Sequence, residues 1–385
     1  MDFALSPEQE AVRDSARRFA REKLAPDYQK REAAGAFDRG LIREMGGLGF
    51  IASELPEEYG GMAVGSLTMG LITEELSRGD FNIGYVQVLG SLVSQILLRH
   101  GRPEHKREWL PKIASGEALF ALGLTEPRGG SDAANLQLKA RPHGNGYVLD
   151  GEKTSISFSD QADALVVFAR TGDAGGGARG VSAFVLPANE PGITRNRFND
   201  LGTAIVGRGS IFFDNVKVPA DALLGDEGKG FYQVMQGFDF SRALIGLQCL
   251  GAAQASLAEA WAYAGERQAF KTPLVRFQGV SFPLAEAETH ITAARWLCYR
   301  TLWLRDQGLP HTAEAAMCKW WAPQVSVNTI HQCLLTHGHS GYSRDLPHQQ
   351  RLRDVIGLEI GDGTAQVMKL IIAREKAGRA AVQYA

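Results

Sequence analysis

From Ser6 onward apolar residues recur at helical spacing, and Val12, Ala16, Phe19 and Ala20 fall on one face. Ser6-Pro7-Glu8-Gln9 supplies an N-cap serine, a proline at the first helical position and a capping-box glutamine. Gly60-Gly61 interrupts this texture before a second helical stretch through Glu74-Glu75-Leu76. Between about 119 and 225 the pattern shortens to β-rich runs at 146–149, 164–169, 181–186 and 210–213, separated by Asp150-Gly151, the Gly-rich stretch 172–180 and Pro191-Gly192. Beyond Gly230 the chain turns rich in Ala, Leu and Glu, predicting helices over about 231–264, 283–307, 312–337 and 364–381. Segments this long predict an antiparallel bundle. The expected organisation is a helical domain over 1–118, a small antiparallel β domain over 119–225 and a helical bundle over 226–385. Stretch 172–180 reads as a mobile surface loop.

Of the 385 residues, 44% are hydrophobic and 22% charged, which is globular composition with room for two or three cores. A net charge of −2 predicts no attraction to nucleic acid or anionic lipid. No apolar run is read as approaching the roughly 20 residues of a membrane span. The first six residues lack the basic and apolar regions of a signal peptide, so an intracellular protein of a bacterial cytoplasm is expected. Cys249, Cys298, Cys318 and Cys333 show no CxxC pairing and read as buried free thiols. His331, His337, His339 and His348 are dense, but no ligand recurs at helical spacing, so a loop-region cluster without metal is expected.

The chemistry sits in motifs. In Gly123-Leu124-Thr125-Glu126-Pro127-Arg128-Gly129-Gly130-Ser131-Asp132, small residues let the backbone approach a flat ring, and Thr125 and Ser131 offer hydroxyls. Alone, Gly-Gly-Ser-Asp is a plain turn. Downstream stand Arg267-Gln268-Ala269-Phe270 with Phe277-Gln278, then His337-Gly338-His339-Ser340-Gly341-Tyr342, Arg353-Asp354 and Gly361-Asp362-Gly363-Thr364. In isolation Arg267 is a helix-end cation and Asp362 an Asp-Gly turn or cap. Together, in this order and spacing, they resemble the acyl-CoA dehydrogenase family. The likeness runs from Leu5-Ser6-Pro7 to Ala373-Arg374-Glu375, through Leu55-Pro56-Glu57-Glu58-Tyr59-Gly60-Gly61 and Asp214-Asn215-Val216-Lys217-Val218-Pro219.

That resemblance implies FAD as cofactor and α,β-dehydrogenation of an acyl-CoA thioester. It implies flavin contacts at Leu122, Leu124, Thr125, Gly130, Ser131, Ser155, Ser157, Gly338 and Thr364. It further implies an Arg267 that reaches the FAD pyrophosphate across a subunit interface, with Phe270 and Gln278 on the adenosine; a planar guanidinium fork suits phosphate. Ser131, Asp239, Arg242 and Gly363 fall at substrate-side positions, Asp239 as a CoA contact and Arg242 as a buried positioning charge. Asp239 also reads as an acidic residue favouring a helix N-terminus, and Ser157 as a plain strand serine. Asp362 occupies the catalytic-base position, its backbone N–H one donor to the developing enolate oxygen. Family members imply a homotetramer and an electron-transferring flavoprotein as acceptor.

Departures from the family pattern sharpen the expectation. The usual base is Glu, so Asp362 is one methylene shorter, and Ser241 removes the alternative base position just before Arg242. A common flavin-flanking Trp is Ser155. Leu335 and His339 replace a Gln and a Gly near the adenine contacts, and an expected Arg is absent from Leu201-Gly202-Thr203-Ala204. A shorter base and a missing Trp enlarge the space around Cα. Asp at this position resembles the alicyclic acyl-CoA dehydrogenases, making cyclohexanecarboxyl-CoA, oxidised to the 1-ene, the expected substrate. A short- or branched-chain acyl-CoA is the alternative, and a nitroalkane-oxidase-like flavin oxidase a more distant one.

Overall fold

The computed structural model describes residues 4–172 and 174–381. Helices α1 (Pro7–Phe19), α2 (Tyr28–Ala34), α3 (Arg39–Gly47), α4 (Ser66–Gly79), α5 (Phe81–His100) and α6 (Pro103–Ala114) come first. The Ser6/Gln9 capping box forms in both directions, and Ala16, Phe19 and Ala20 are buried as their spacing predicts. Helix α5 corrects one expectation: it is long and apolar enough to cross a membrane by length and composition, with 83% of its apolar window buried inside the protein. Its polar breaks, such as Asn82, Gln87 and Ser91, disguise it as ordinary sequence, and all three are buried.

A sheet follows, with β1 (Phe120–Gly123), β2 (Lys139–His143), β3 (Gly146–Ile156), β4 (Ala164–Arg170), β5 (Val181–Pro187), β6 (Ile193–Arg195), β7 (Gly209–Pro219) and β8 (Leu223–Leu224). Its order is β6-β7-β3-β2-β4-β5-β8, with β1 against β4. The expected antiparallel texture holds for most pairs, but β1 runs parallel to β4, as does β2 at its single pairing with β4. Strand β4 is buried along its whole length, as an interior strand covered on both faces must be. Around 172–180 the described backbone takes 3₁₀ turns, closed at the base by the Thr171 N–H on the Gly180 carbonyl at 3.0 Å.

The last third holds α7 (Gly230–Glu266), the short hairpin β9 (Gln268–Ala269) and β10 (Thr272–Pro273), then α8 (Gln278–Asp306), α9 (Thr312–Thr336), α10 (His339–Tyr342), α11 (His348–Ile360) and α12 (Ala365–Ala377). Residues 240–253 of α7 are buried on every face, because the helix packs against α4, α5, α8 and α9 at once. Helix α11 replaces a stretch read from sequence only as loop motifs. Four of its six buried residues (His348, Gln350, Arg351, Asp354, Val355, Leu358) are polar, so apolar periodicity is faint there. The four histidines also differ from a loop cluster. His331 lies in α9, while His337 stacks on Tyr263 and meets His348, with ring centroids 4.4 and 4.3 Å apart.

One carboxylate ties the three parts together. Asp354 of α11 accepts from the Tyr28 hydroxyl at 2.6 Å, Asn82 Nδ2 at 3.0 Å and the Thr203 N–H at 2.5 Å. Burial pushes its carboxyl up to about 7, the donors opposing and Asp80 and Glu32 adding to the rise. Against the ordinary 3.8, the folded chain then holds the extra proton between these values. Its stabilising contribution is complete below about pH 4 and is lost as pH rises through 7. Urea midpoints of wild type are expected to decline more steeply between pH 5 and 8 than those of Asp354→Asn. Parallel declines in the two proteins would remove Asp354 as the titrating group.

Candidate active site

The segment after β1 is braced from below. Lys153, fully buried on β3, places Nζ 2.6 Å from Glu126 Oε1 and 3.1 Å from the Leu124 carbonyl. Glu126 in turn accepts from the N–H groups of Gln137 at 2.5 Å and Leu138 at 2.8 Å. The Thr154 N–H bonds the Thr125 carbonyl at 2.9 Å, fastening the segment to β3. This frame leaves the Thr125, Ser131 and Ser155 hydroxyls without a protein hydrogen bond among the described residues. In sequence Lys153 and Glu126 look like ordinary charged residues; neither the burial of Lys153 nor their pairing is marked locally.

Ser155 sits at a register shift of β3 against β7, exposed and at φ +58°, a conformation costing of order 1 kcal/mol or more outside glycine. Two residues on, Ser157 donates to the Tyr85 hydroxyl at 3.2 Å. Tyr85 comes from α5 and its ring is set edge-on to Phe158, centroids 5.9 Å apart. Burial, then the charge of Asp362, pushes the phenol well above its ordinary range, so it stays neutral. Tyr85 thus bonds Ser157 and feels the charge of Asp362, and nothing in its local sequence marks it.

Asp362 lies in the short link between α11 and α12, half-buried, at φ +55°. Gly363 follows at φ +100°, a backbone conformation that L side chains rarely adopt, so glycine is favoured there. Among the described residues the N–H groups of Asp362 and Gly363 make no hydrogen bond, leaving two donors free beside the carboxylate. Thr364 caps α12, accepting from the Val367 N–H at 3.3 Å. Burial raises the Asp362 carboxyl, while Lys319 and then Arg242 pull it down. Arg242, buried on α7, donates to Asp239 Oδ1 at 2.9 Å, and Thr312 donates to Oδ2 at 2.7 Å. Asp239 thus has both oxygens engaged, and the structure gives it the task of holding Arg242.

Charge links Asp362 with Arg242 and with Tyr85, and Tyr85 in turn holds Ser157. Arg267 caps the end of α7, Phe270 lies in the β9–β10 turn and Gln278 opens α8. Phe270 is 91% exposed, and Arg267 has no carboxylate partner among the described residues. Gly338 is exposed at φ +59°, in the link from α9 to α10. These residues fit FAD: small groups and free hydroxyls in the segment after β1 and at the end of β3 for a flat ring, and an unpaired cation with an unburied aromatic for a pyrophosphate and an adenosine.

Three family models cover most of the chain. "Acyl-CoA dehydrogenase, N-terminal domain" matches residues 6–117, "middle domain" 121–216 and "C-terminal domain" 228–377. A probable acyl-CoA dehydrogenase of Bacillus subtilis, YngJ, is 36% identical over 97% of this chain and 99% of its own. The short-chain specific acyl-CoA dehydrogenase of Bos taurus mitochondria is 35% identical over 94% of this chain and 88% of its own. The structure of butyryl-CoA dehydrogenase from Megasphaera elsdenii superposes with a TM-score of 0.94 at 33% identity, covering 98% of this chain and all of that one.

Proposed function

The chain belongs to the acyl-CoA dehydrogenase family and is an FAD-dependent oxidoreductase acting on an acyl-CoA; from that premise we propose that it oxidises the Cα–Cβ bond of a compact acyl group, foremost an alicyclic one such as cyclohexanecarboxyl-CoA. The observation that carries this reading is Asp362, a base one carbon shorter than Glu, held in a rigid link. A tertiary ring carbon brings more bulk to the base than a linear chain does, and the reactive hydrogen must still lie within reach. Ser155 leaves volume near the flavin site. A short linear chain is the second reading, favoured by the likeness to the short-chain specific and butyryl-CoA enzymes.

In the proposed mechanism Asp362 takes the α-proton onto its carboxylate. The free N–H of Asp362 donates to the thioester oxygen as negative charge gathers there. FAD, when bound, supplies the oxidising chemistry by accepting the β-hydrogen with its electron pair. Arg242, held by Asp239, keeps positive potential beside the base. Thr125, Ser131, Ser157, Leu122, Leu124, Gly130 and Ser155 would line the flavin, while Arg267, Phe270, Gln278, Gly338 and Thr364 complete its site, the first three across a subunit boundary. Gly363 gives the acyl group room.

We divide the chain into domains at about residues 118 and 225, which bracket the strands from Phe120 to Leu224. A homotetramer in a bacterial cytoplasm is the proposed setting, supported by exposed Phe270, Tyr342 and Ile360 in the C-terminal part. An electron-transferring flavoprotein is the proposed acceptor; direct consumption of oxygen would favour the oxidase reading instead.

Anaerobic bleaching of the flavin by cyclohexanecarboxyl-CoA and butyryl-CoA tests the substrate. Wild type is expected to prefer the cyclic thioester, and Asp362→Glu to reverse that ranking because the longer base crowds the ring. Preference for butyryl-CoA in both proteins would select the short-chain reading.

A further inference from the structure

A buried lysine that the mechanism above does not use lies against the base-bearing link. Lys319, on α9, is 1% exposed. Its Nζ donates to the Leu358 carbonyl at 2.6 Å and to the Gly363 carbonyl at 3.1 Å. Leu358 is in the last turn of α11, where carbonyls run out of helical partners. Gly363 is the residue after the base. A single ammonium therefore closes the link from both ends, across a backbone that is left-handed at Asp362 and favours glycine at Gly363. Such a conformation persists only where its surroundings hold it.

We propose that Lys319 is a positioning residue for Asp362, fixing the backbone on both sides of the base and adding a cation whose charge acts on its carboxylate. The inference rests on Asp362 being the base. Charged and titratable groups around Lys319 are Asp362 in the link, Glu359 on α11, and Arg242 and Cys249 on α7. Burial alone drives both groups toward neutrality, lowering Lys319 and raising Asp362; their mutual attraction opposes each shift. A neutral hydrogen-bond donor at this place would hold the carbonyls without that field. An unpaired ammonium without the carbonyls would leave the link free to move. Lys319 supplies both, which is why a lysine is buried here at the cost of desolvation.

The experiment compares flavin-loaded wild type, Lys319→Met and Lys319→Gln by anaerobic bleaching with the better of the two thioesters, from pH 5 to 9. Removing the charge is expected to move the acid limb of the rate profile upward by about one pH unit and to lower the rate at pH 7 at least about tenfold. A loss of fold alone reduces the active fraction without moving the limb. An unmoved limb in either neutral variant that retains flavin overturns the inference. Should neither retain flavin, Lys319→Arg decides. It keeps the charge but displaces the two carbonyls, so the limb should stay and the rate fall. A wild-type rate in Lys319→Arg overturns the clamp. The base reading fails separately: it falls if Asp362→Asn bleaches normally, whatever the Lys319 variants do.

Discussion

Asp362→Asn is expected to bind acyl-CoA and FAD and to lose flavin reduction by about 10²–10⁴-fold, the usual worth of a general base. Asparagine keeps the shape and the backbone N–H, so the oxyanion donor survives while the proton acceptor is gone. It also removes the negative charge that Lys319 and Arg242 answer, leaving Lys319 buried beside a neutral link while Arg242 keeps Asp239. Ser241 occupies the alternative base position, and Asp239 is engaged by Arg242 and Thr312. Stopped-flow bleaching after anaerobic mixing, with ligand binding followed by the shift of the flavin band, separates chemistry from affinity. A reduction rate within threefold of wild type would assign the base elsewhere.

Lys153→Met is expected to destabilise the protein by about 3–5 kcal/mol, the penalty for stranding one partner of a buried ion pair. Burial lowers Lys153 to about 8, with Glu126 holding it up, so the ammonium stays mostly protonated at neutral pH. Without the ammonium, Glu126 keeps only the N–H groups of Gln137 and Leu138. Because that carboxylate braces the segment from Leu124 to Ser131, flavin retention should fall together with stability. The double variant Lys153→Met/Glu126→Gln removes the stranded charge and should recover part of both losses. Denaturant midpoints and flavin absorbance after gel filtration read the two effects. A single variant as stable and as yellow as wild type would show that the pair braces nothing.

Much of the architecture was legible along the chain. Ser6-Pro7-Glu8-Gln9 starts a helix by chemistry confined to four residues, and the 3.6-residue and two-residue periods report which faces meet a core. Local motifs in order, from Gly123–Asp132 to Gly361–Thr364, identify the family because each demands particular backbone and side-chain chemistry at its own position. Helix α11 escaped this reading, since its buried face is secured by polar contacts with distant segments, as Asp354 shows with Tyr28, Asn82 and Thr203. The same reason hid the supports of the site. Lys153, Tyr85 and Lys319 look like a strand lysine, a helix aromatic and a helix lysine. Their roles depend on a Glu126 carboxylate 27 residues away, a Ser157 hydroxyl 72 away and a Gly363 carbonyl 44 away. Sequence determined which groups could do the chemistry, through local conformation and hydrophobic period. Only the tertiary structure decided which of them are desolvated and paired, because burial and charge act through space and set whether a carboxylate such as Asp362 is a poised base or a surface turn.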